Sequence, residues 1–163
     1  MKYFLITYAT KTGSTKKVAE FIALSLTNKG IKTNVLPMNE VTSFNDYTGV
    51  IIGAPVNGMQ WLPEAKAFIT KNMDTLRTLP VAYYLLAVVL NGGRPFFVNK
   101  LSKAFDTSSQ IVTPVTCGFF KGIITGEPPF ILRLIFGLKK DIPKAIENSK
   151  EIQDWSEQLI ELM

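Results

Sequence analysis

The run Thr10-Lys11-Thr12-Gly13-Ser14-Thr15 gathers four hydroxyl side chains and a lysine around one glycine. It follows an almost continuously apolar segment, Tyr3 to Ala9, and precedes apolar residues spaced by three and four at Val18, Ala19, Ile22, Ala23 and Leu26. That pattern predicts a buried strand feeding directly into a helix. Free N–H groups at a helix N-terminus, hydroxyls around them and a glycine that admits close approach make a seat for an anion such as a phosphate. The same residue types also make a polar strand-to-helix turn with a good N-cap. Rival phosphate motifs are missing: the strand is followed neither by Gly-x-Gly-x-x-Gly nor by Gly-x-x-x-x-Gly-Lys-Ser/Thr, which argues against a dinucleotide site and a P-loop. The loop has no neighbouring cysteine nucleophile, and the first strand ends in no carboxylates to hold magnesium.

Two further loops stand where a ligand beyond such a strand end would meet them. Ala54-Pro55-Val56-Asn57-Gly58-Met59-Gln60-Trp61 follows a short apolar strand at Gly49 to Gly53. Asn57-Gly58 signals a turn, and Met59 or Trp61 offers a polarizable or flat surface for stacking on a ring. Trp61 equally suits a place beneath the helix that it precedes, because tryptophan is highly buried on average. The second loop, Val88-Val89-Leu90-Asn91-Gly92-Gly93-Arg94, follows a strand at Val81 to Val89, and Gly92-Gly93 permits close backbone approach. It also reads as a plain flexible connection.

The elements that would position these loops alternate along the chain. Lys32 to Leu36 reads as the second strand and Ile111 to about Phe119 as the fifth; helices are predicted from Leu62-Pro63 to about Met73, from about Phe97 to Phe105, and from Pro143 to the end. This is an α/β pattern, a doubly wound five-stranded parallel sheet with helices on both faces, whose ligand sits beyond the carboxyl ends of the strands. With 163 residues, 47% of them hydrophobic, one domain spanning 1–163 is expected.

Composition narrows the chemistry. Histidine is absent, removing the commonest metal ligand and general base, so hard chemistry falls to a bound cofactor and no metal site is expected. The lone Cys117 cannot form an intramolecular disulfide, and neither Tyr3–Ala9 nor Val81–Leu90 reads as a signal peptide or a span, which makes the cytoplasm the expected location. A net charge of +5 favours anionic partners. The basic residues are scattered rather than interleaved with aromatics, which argues against a nucleic-acid platform.

Ile6-Thr7-Tyr8-Ala9-Thr10-Lys11-Thr12-Gly13-Ser14-Thr15-Lys16-Lys17-Val18-Ala19 resembles the FMN-phosphate signature of flavodoxins. The resemblance implies a flavodoxin-like fold with FMN as cofactor. It implies that Thr10, Thr12, Gly13, Ser14 and Thr15 hold the phosphate, that Lys11 adds charge, and that the Pro55–Trp61 and Val88–Gly93 loops flank the flavin ring. Val50-Ile51-Ile52-Gly53-Ala54, Leu79-Pro80-Val81-Ala82-Tyr83-Tyr84 and Ile131-Leu132-Arg133-Leu134-Ile135-Phe136-Gly137 are similar in order and spacing to the menaquinone-dependent protoporphyrinogen oxidase branch. Phe119-Phe120-Lys121-Gly122 and Glu127-Pro128-Pro129 depart from that branch's more basic, tyrosine-bearing pattern.

Function then divides three ways: an FMN electron carrier working with a redox partner protein, an FMN oxidoreductase passing electrons to a quinone, or a cofactor-free binding module, against which the intact hydroxyl loop speaks. The apolar and basic segment Phe119 to Lys140 either extends the core or forms a surface for a quinone, an apolar partner or the inner face of a membrane. No carboxylate stands in either ring loop. Since reducing FMN adds negative charge, the expected reduction potential is higher than in an acidic flavodoxin.

Overall fold

The computed structural model describes residues 1–123, 129–138 and 150–163. Five parallel strands form its centre: β1 (Tyr3–Tyr8), β2 (Lys32–Pro37), β3 (Gly49–Asn57), β5 (Val81–Ala87) and β6 (Thr116–Lys121), in the order β2-β1-β3-β5-β6. A sixth, two-residue strand, β4 (Gln60–Trp61), pairs antiparallel with the end of β3. The strand order reverses between β1 and β3, the switch point at which such sheets open a crevice for ligands.

Alternation along the strands divides the core between the two faces. Leu5, Val50, Ile52, Tyr83 and Leu85 face one side, covered by α2 (Pro63–Lys71), the β4 tryptophan and the segment Leu101–Phe105. Phe4, Ile6, Ile51, Tyr84 and Leu86 face the other, against Val18, Ile22 and Leu26 of α1 (Ser14–Thr27) and Ile152, Trp155 and Leu159 of the C-terminal helix (Lys150–Leu162). The inner strands β1, β3 and β5 are therefore buried on both sides, which is why their sequences show no polar alternation, whereas the edge strands β2 and β6 are only partly buried.

Several boundaries differ from the sequence reading. β3 runs to Asn57 instead of stopping at Gly53, because Val56 and Asn57 find partners in Trp61 and Gln60 across a two-residue turn. Gly58 and Met59 both hold positive φ there, 58° and 64°, as a hairpin of the type I′ class requires. The fourth parallel strand ends at Ala87; Val88–Leu90 forms a 3-10 turn. The fifth begins at Thr116, not Ile111, which ends a helix at Asp106–Ile111. Pro114 has no N–H for a ladder, so bonding to β5 starts beyond it, with Val115 N–H donating to Val81 O at 2.7 Å. The predicted helix to Met73 breaks into α2 (Pro63–Lys71) and α3 (Met73–Leu76), and that from Phe97 to Phe105 is α4 (Pro95–Lys100) followed by 3-10 turns. The expected helix start at Pro143 lies outside the described residues.

Candidate functional site

At the carboxyl edge of β1, β3 and β5 lies a cleft of about 300 Å³ lined by Thr10, Lys11, Thr12, Ser14, Thr15, Pro55, Val56, Asn57, Leu86, Val88, Gly122 and Ile123. Gly13 forms the entrance to α1 in the left-handed conformation, φ 84°, with open space where a Cβ would stand. Having no side chain, it leaves the first-turn N–H groups of α1 without a side-chain cap, and that turn contains no acidic residue. Its own N–H donates to Thr10 Oγ1 at 2.9 Å, which ties the loop back on itself, and Thr12 Oγ1 lies 3.1 Å from Ser14 Oγ. The hydroxyls are thus gathered beside an uncapped helix N-terminus, the arrangement that receives an anion.

Thr15 adds a hydroxyl to this arrangement. The residue lines the cleft and is 1% exposed, and its Oγ1, like that of Thr7, has no hydrogen-bond partner among the described residues. Buried hydroxyls are rarely left unpaired, because desolvation without a bond costs about 1–3 kcal/mol. An acceptor arriving in the cleft would satisfy it. Beneath the loop, Tyr84 Oη donates to Thr15 O at 3.3 Å, and its fully buried ring passes over Gly53, where an added Cβ would fall 1.8 Å from the tyrosine Cζ. Burial drives the Tyr84 hydroxyl far above its ordinary pKa, with the neighbouring Tyr8 contributing, so it remains a donor.

The two ring loops are brought to the same edge, but not every residue in them. Pro55, Val56, Asn57 and Val88 line the cleft. Gly58, Met59 and Val89 line an adjoining apolar cavity of about 170 Å³, which shares Val56 and Val88 with the cleft. Trp61 is directed elsewhere: it is 5% exposed, packs on Tyr83 and Phe105 with ring centroids 5.0 and 4.8 Å away, and donates Nε1–H to Ala54 O at 3.0 Å. The β4 hairpin folds it inward, so it supports β3 from beneath and offers no face to the cleft.

Asn91 is likewise structural, its Nδ2 bonding Val88 O at 3.1 Å and Gly122 O at 2.8 Å. Gly93 is needed for approach to its own loop, since a Cβ would lie 2.5 Å from Val89 O, while Leu90 lines a separate cavity with Val98 and Phe119. Gly92 takes a positive φ of 87° in that turn. Arg94 turns from the ring loop to the helix Phe130–Phe136, numbered α6 after α4 (Pro95–Lys100) and α5 (Asp106–Ile111). Its guanidinium donates to Leu134 O at 2.9 Å and its backbone N–H to Phe136 O at 2.8 Å, satisfying the last carbonyls of that helix.

Leu86, Gly122 and Ile123 complete the cleft, and Ala87, Leu132, Phe136 and Leu138 the apolar cavity, although the sequence reading placed none of them there. The signal for Gly122 and Ile123 was the register of β6 on β5: Lys121 opposite Ala87 brings the next residues beside Val88. Among the described residues no carboxylate lines either cavity, and Lys11 is the one charged residue lining the cleft. Among the described residues no cluster of three metal-ligating side chains occurs, and no helix is long and apolar enough to cross a membrane.

Comparison with known proteins agrees with this geometry. Protoporphyrinogen IX dehydrogenase (quinone) of Escherichia coli K12 is 26% identical over 124 residues, covering 74% of this chain and 68% of that protein. Oxidised flavodoxin 2 from Bacillus cereus superposes with a TM-score of 0.63 at 16% identity, over 99% of both chains. A Fusobacterium nucleatum flavodoxin bound to flavin mononucleotide does so with a TM-score of 0.55 at 17% identity, over 99% of this chain and 98% of that one. The flavodoxin domain family matches residues 5–138, most of the chain, and the chain belongs to that family.

Proposed function

We propose that this protein binds FMN and mediates electron transfer, with the FMN phosphate held at Thr10 to Thr15. The observation that carries the reading is the buried, unpaired Thr15 Oγ1 on the wall of a cleft at the uncapped N-terminus of α1. When bound, FMN supplies one- and two-electron chemistry that no side chain of this histidine-free protein provides. The protein's part is to bind and orient. The hydroxyls of Thr10, Thr12, Ser14 and Thr15 and the first-turn amides of α1 receive the phosphate, Lys11 adds a positive charge, and Tyr84 holds Thr15 in place from below. Pro55, Val56, Asn57 and Val88 lead from this seat to the apolar cavity bordered by Gly58, Met59 and Val89.

The test is direct. Purified protein, stripped of ligand and titrated with FMN, should develop a saturable flavin spectrum and bind riboflavin far more weakly, since riboflavin lacks the phosphate. A colourless protein that takes up no FMN would leave the third reading, a cofactor-free binding module.

A second reading, an FMN oxidoreductase delivering electrons to a quinone, draws on the apolar cavity beside the cleft and on the relative named for quinone-dependent porphyrinogen oxidation. Steady-state assays with protoporphyrinogen IX and a menaquinone analogue distinguish it from a carrier: turnover with both supports the oxidoreductase, and flavin reduction without turnover supports the carrier.

A further inference from the structure

Helix α6 has the sequence Phe-Ile-Leu-Arg-Leu-Ile-Phe, apolar almost all the way round. Such a helix is normally buried on every side. Here Leu132 and Phe136 border the apolar cavity, Leu132 remaining 41% exposed, and the rest of the helix is uncovered by the described residues: Phe130 is 72% exposed, Ile131 67%, Leu134 60% and Ile135 47%. The neighbouring helix α4 continues this surface. Phe97 packs on Phe136 at 4.7 Å between ring centroids, and Phe96, 62% exposed, carries the Lys100 ammonium 4.5 Å over its ring. A lysine lying over an exposed aromatic ring is suited to the boundary between apolar and charged phases.

Charge selects the occupant. Lys100 on α4, Arg133 on α6 and Arg94, which joins the two helices, place three cations at this surface, and neither helix carries a carboxylate. Exposed large apolar side chains combined with a local positive excess match an anionic bilayer, whose headgroups attract the lysines while the acyl boundary takes the aromatic and aliphatic groups. We propose that α6 and the adjoining Phe96 dock the protein on an anionic phospholipid surface. Docking there sets the apolar cavity next to the acyl boundary, on the inner side of the same helix. The proposal does not depend on FMN binding.

The test is sedimentation of the full chain with vesicles of phosphatidylcholine alone and of phosphatidylcholine mixed with phosphatidylglycerol. Binding is expected to the mixed vesicles, weakened at about 1 M salt, where the Debye length is about 3 Å. The double variant I131S/L134S should lose about tenfold or more in partitioning with an unchanged melting temperature, since both side chains are exposed in solution. K100E/K103E should lose the preference for the anionic vesicles. Protein that stays in the supernatant with both lipids, or I131S/L134S bound as well as the parent, would overturn the proposal. So would light scattering showing a dimer that I131S/L134S converts to monomer, which would assign the face to a second copy of the chain.

Discussion

Thr15 is the residue on which stability and binding separate. Its hydroxyl is buried without a partner among the described residues, so Thr15→Val, which keeps the shape and removes the polar atom, should leave the ligand-free melting temperature unchanged or raised. The same change should weaken FMN binding by about tenfold, roughly the worth of one hydrogen bond to a charged acceptor. Calorimetric titration and a thermal melt on the same sample check both halves; a destabilised protein with undiminished affinity would show that Thr15 serves the fold alone. Tyr84 acts at one remove. Tyr84→Phe keeps the ring over Gly53 but removes the bond to Thr15 O, and should cost about 1 kcal/mol in urea unfolding together with a loss of FMN affinity of a few fold.

At the scale of elements, the hairpin joining β3 to β4 decides which residues of the first ring loop line the cleft and the cavity beside it. By turning Trp61 inward it makes that side chain part of the core, so Trp61→Ala should destabilise by about 3–5 kcal/mol, as large aromatic deletions do, whereas Trp61→Phe should fold with near-parental affinity for FMN. Chemical denaturation paired with a flavin titration separates the two effects. This element also marks the limit of what local sequence conveys. The strand β1, the loop Thr10–Thr15 and the amphipathic face of α1 were legible because apolar runs, hydroxyls and spacing act locally. The fate of Trp61 was not, because it depends on a two-residue turn with positive φ at Met59, where nothing in the side chain demands it. Ile111 and Val112 misled for a related reason: β-branched residues read as strand, but Pro114 postpones the ladder to Thr116. The contribution of α6 to the apolar cavity was invisible in sequence because it requires Arg94, forty positions away from Leu134, to hold the helix across the ring loop.

For the whole molecule, charge and proton binding give two further expectations. Among the described residues no carboxylate lines either cavity, and the net charge is +5, so electrons added to FMN held there would meet no carboxylate among those lining residues. Potentiometric titration should give a second reduction potential less negative than that of an acidic flavodoxin. Stability should fall in alkali. Burial pushes the Cys117 thiol from 9.0 up to about 11, and Tyr83 and Tyr84 are shifted upward by burial too. The folded state therefore keeps protons that the unfolded chain releases; the stabilisation is complete below the unfolded thiol value and is lost as pH rises through about 11. Melting temperatures measured from neutral pH into that range should decline, and the thiol should react slowly with disulfide reagents near pH 8. The central claim concerns the cofactor, and a paired titration of the ligand-free protein with FMN and riboflavin tests it most directly. Saturable binding of FMN at one per chain, with riboflavin weaker by about a hundredfold or more for want of the phosphate's charge-assisted bonds, is the expected result. Equal affinity for the two, or no binding of either, would contradict a phosphate seat at Thr10 to Thr15.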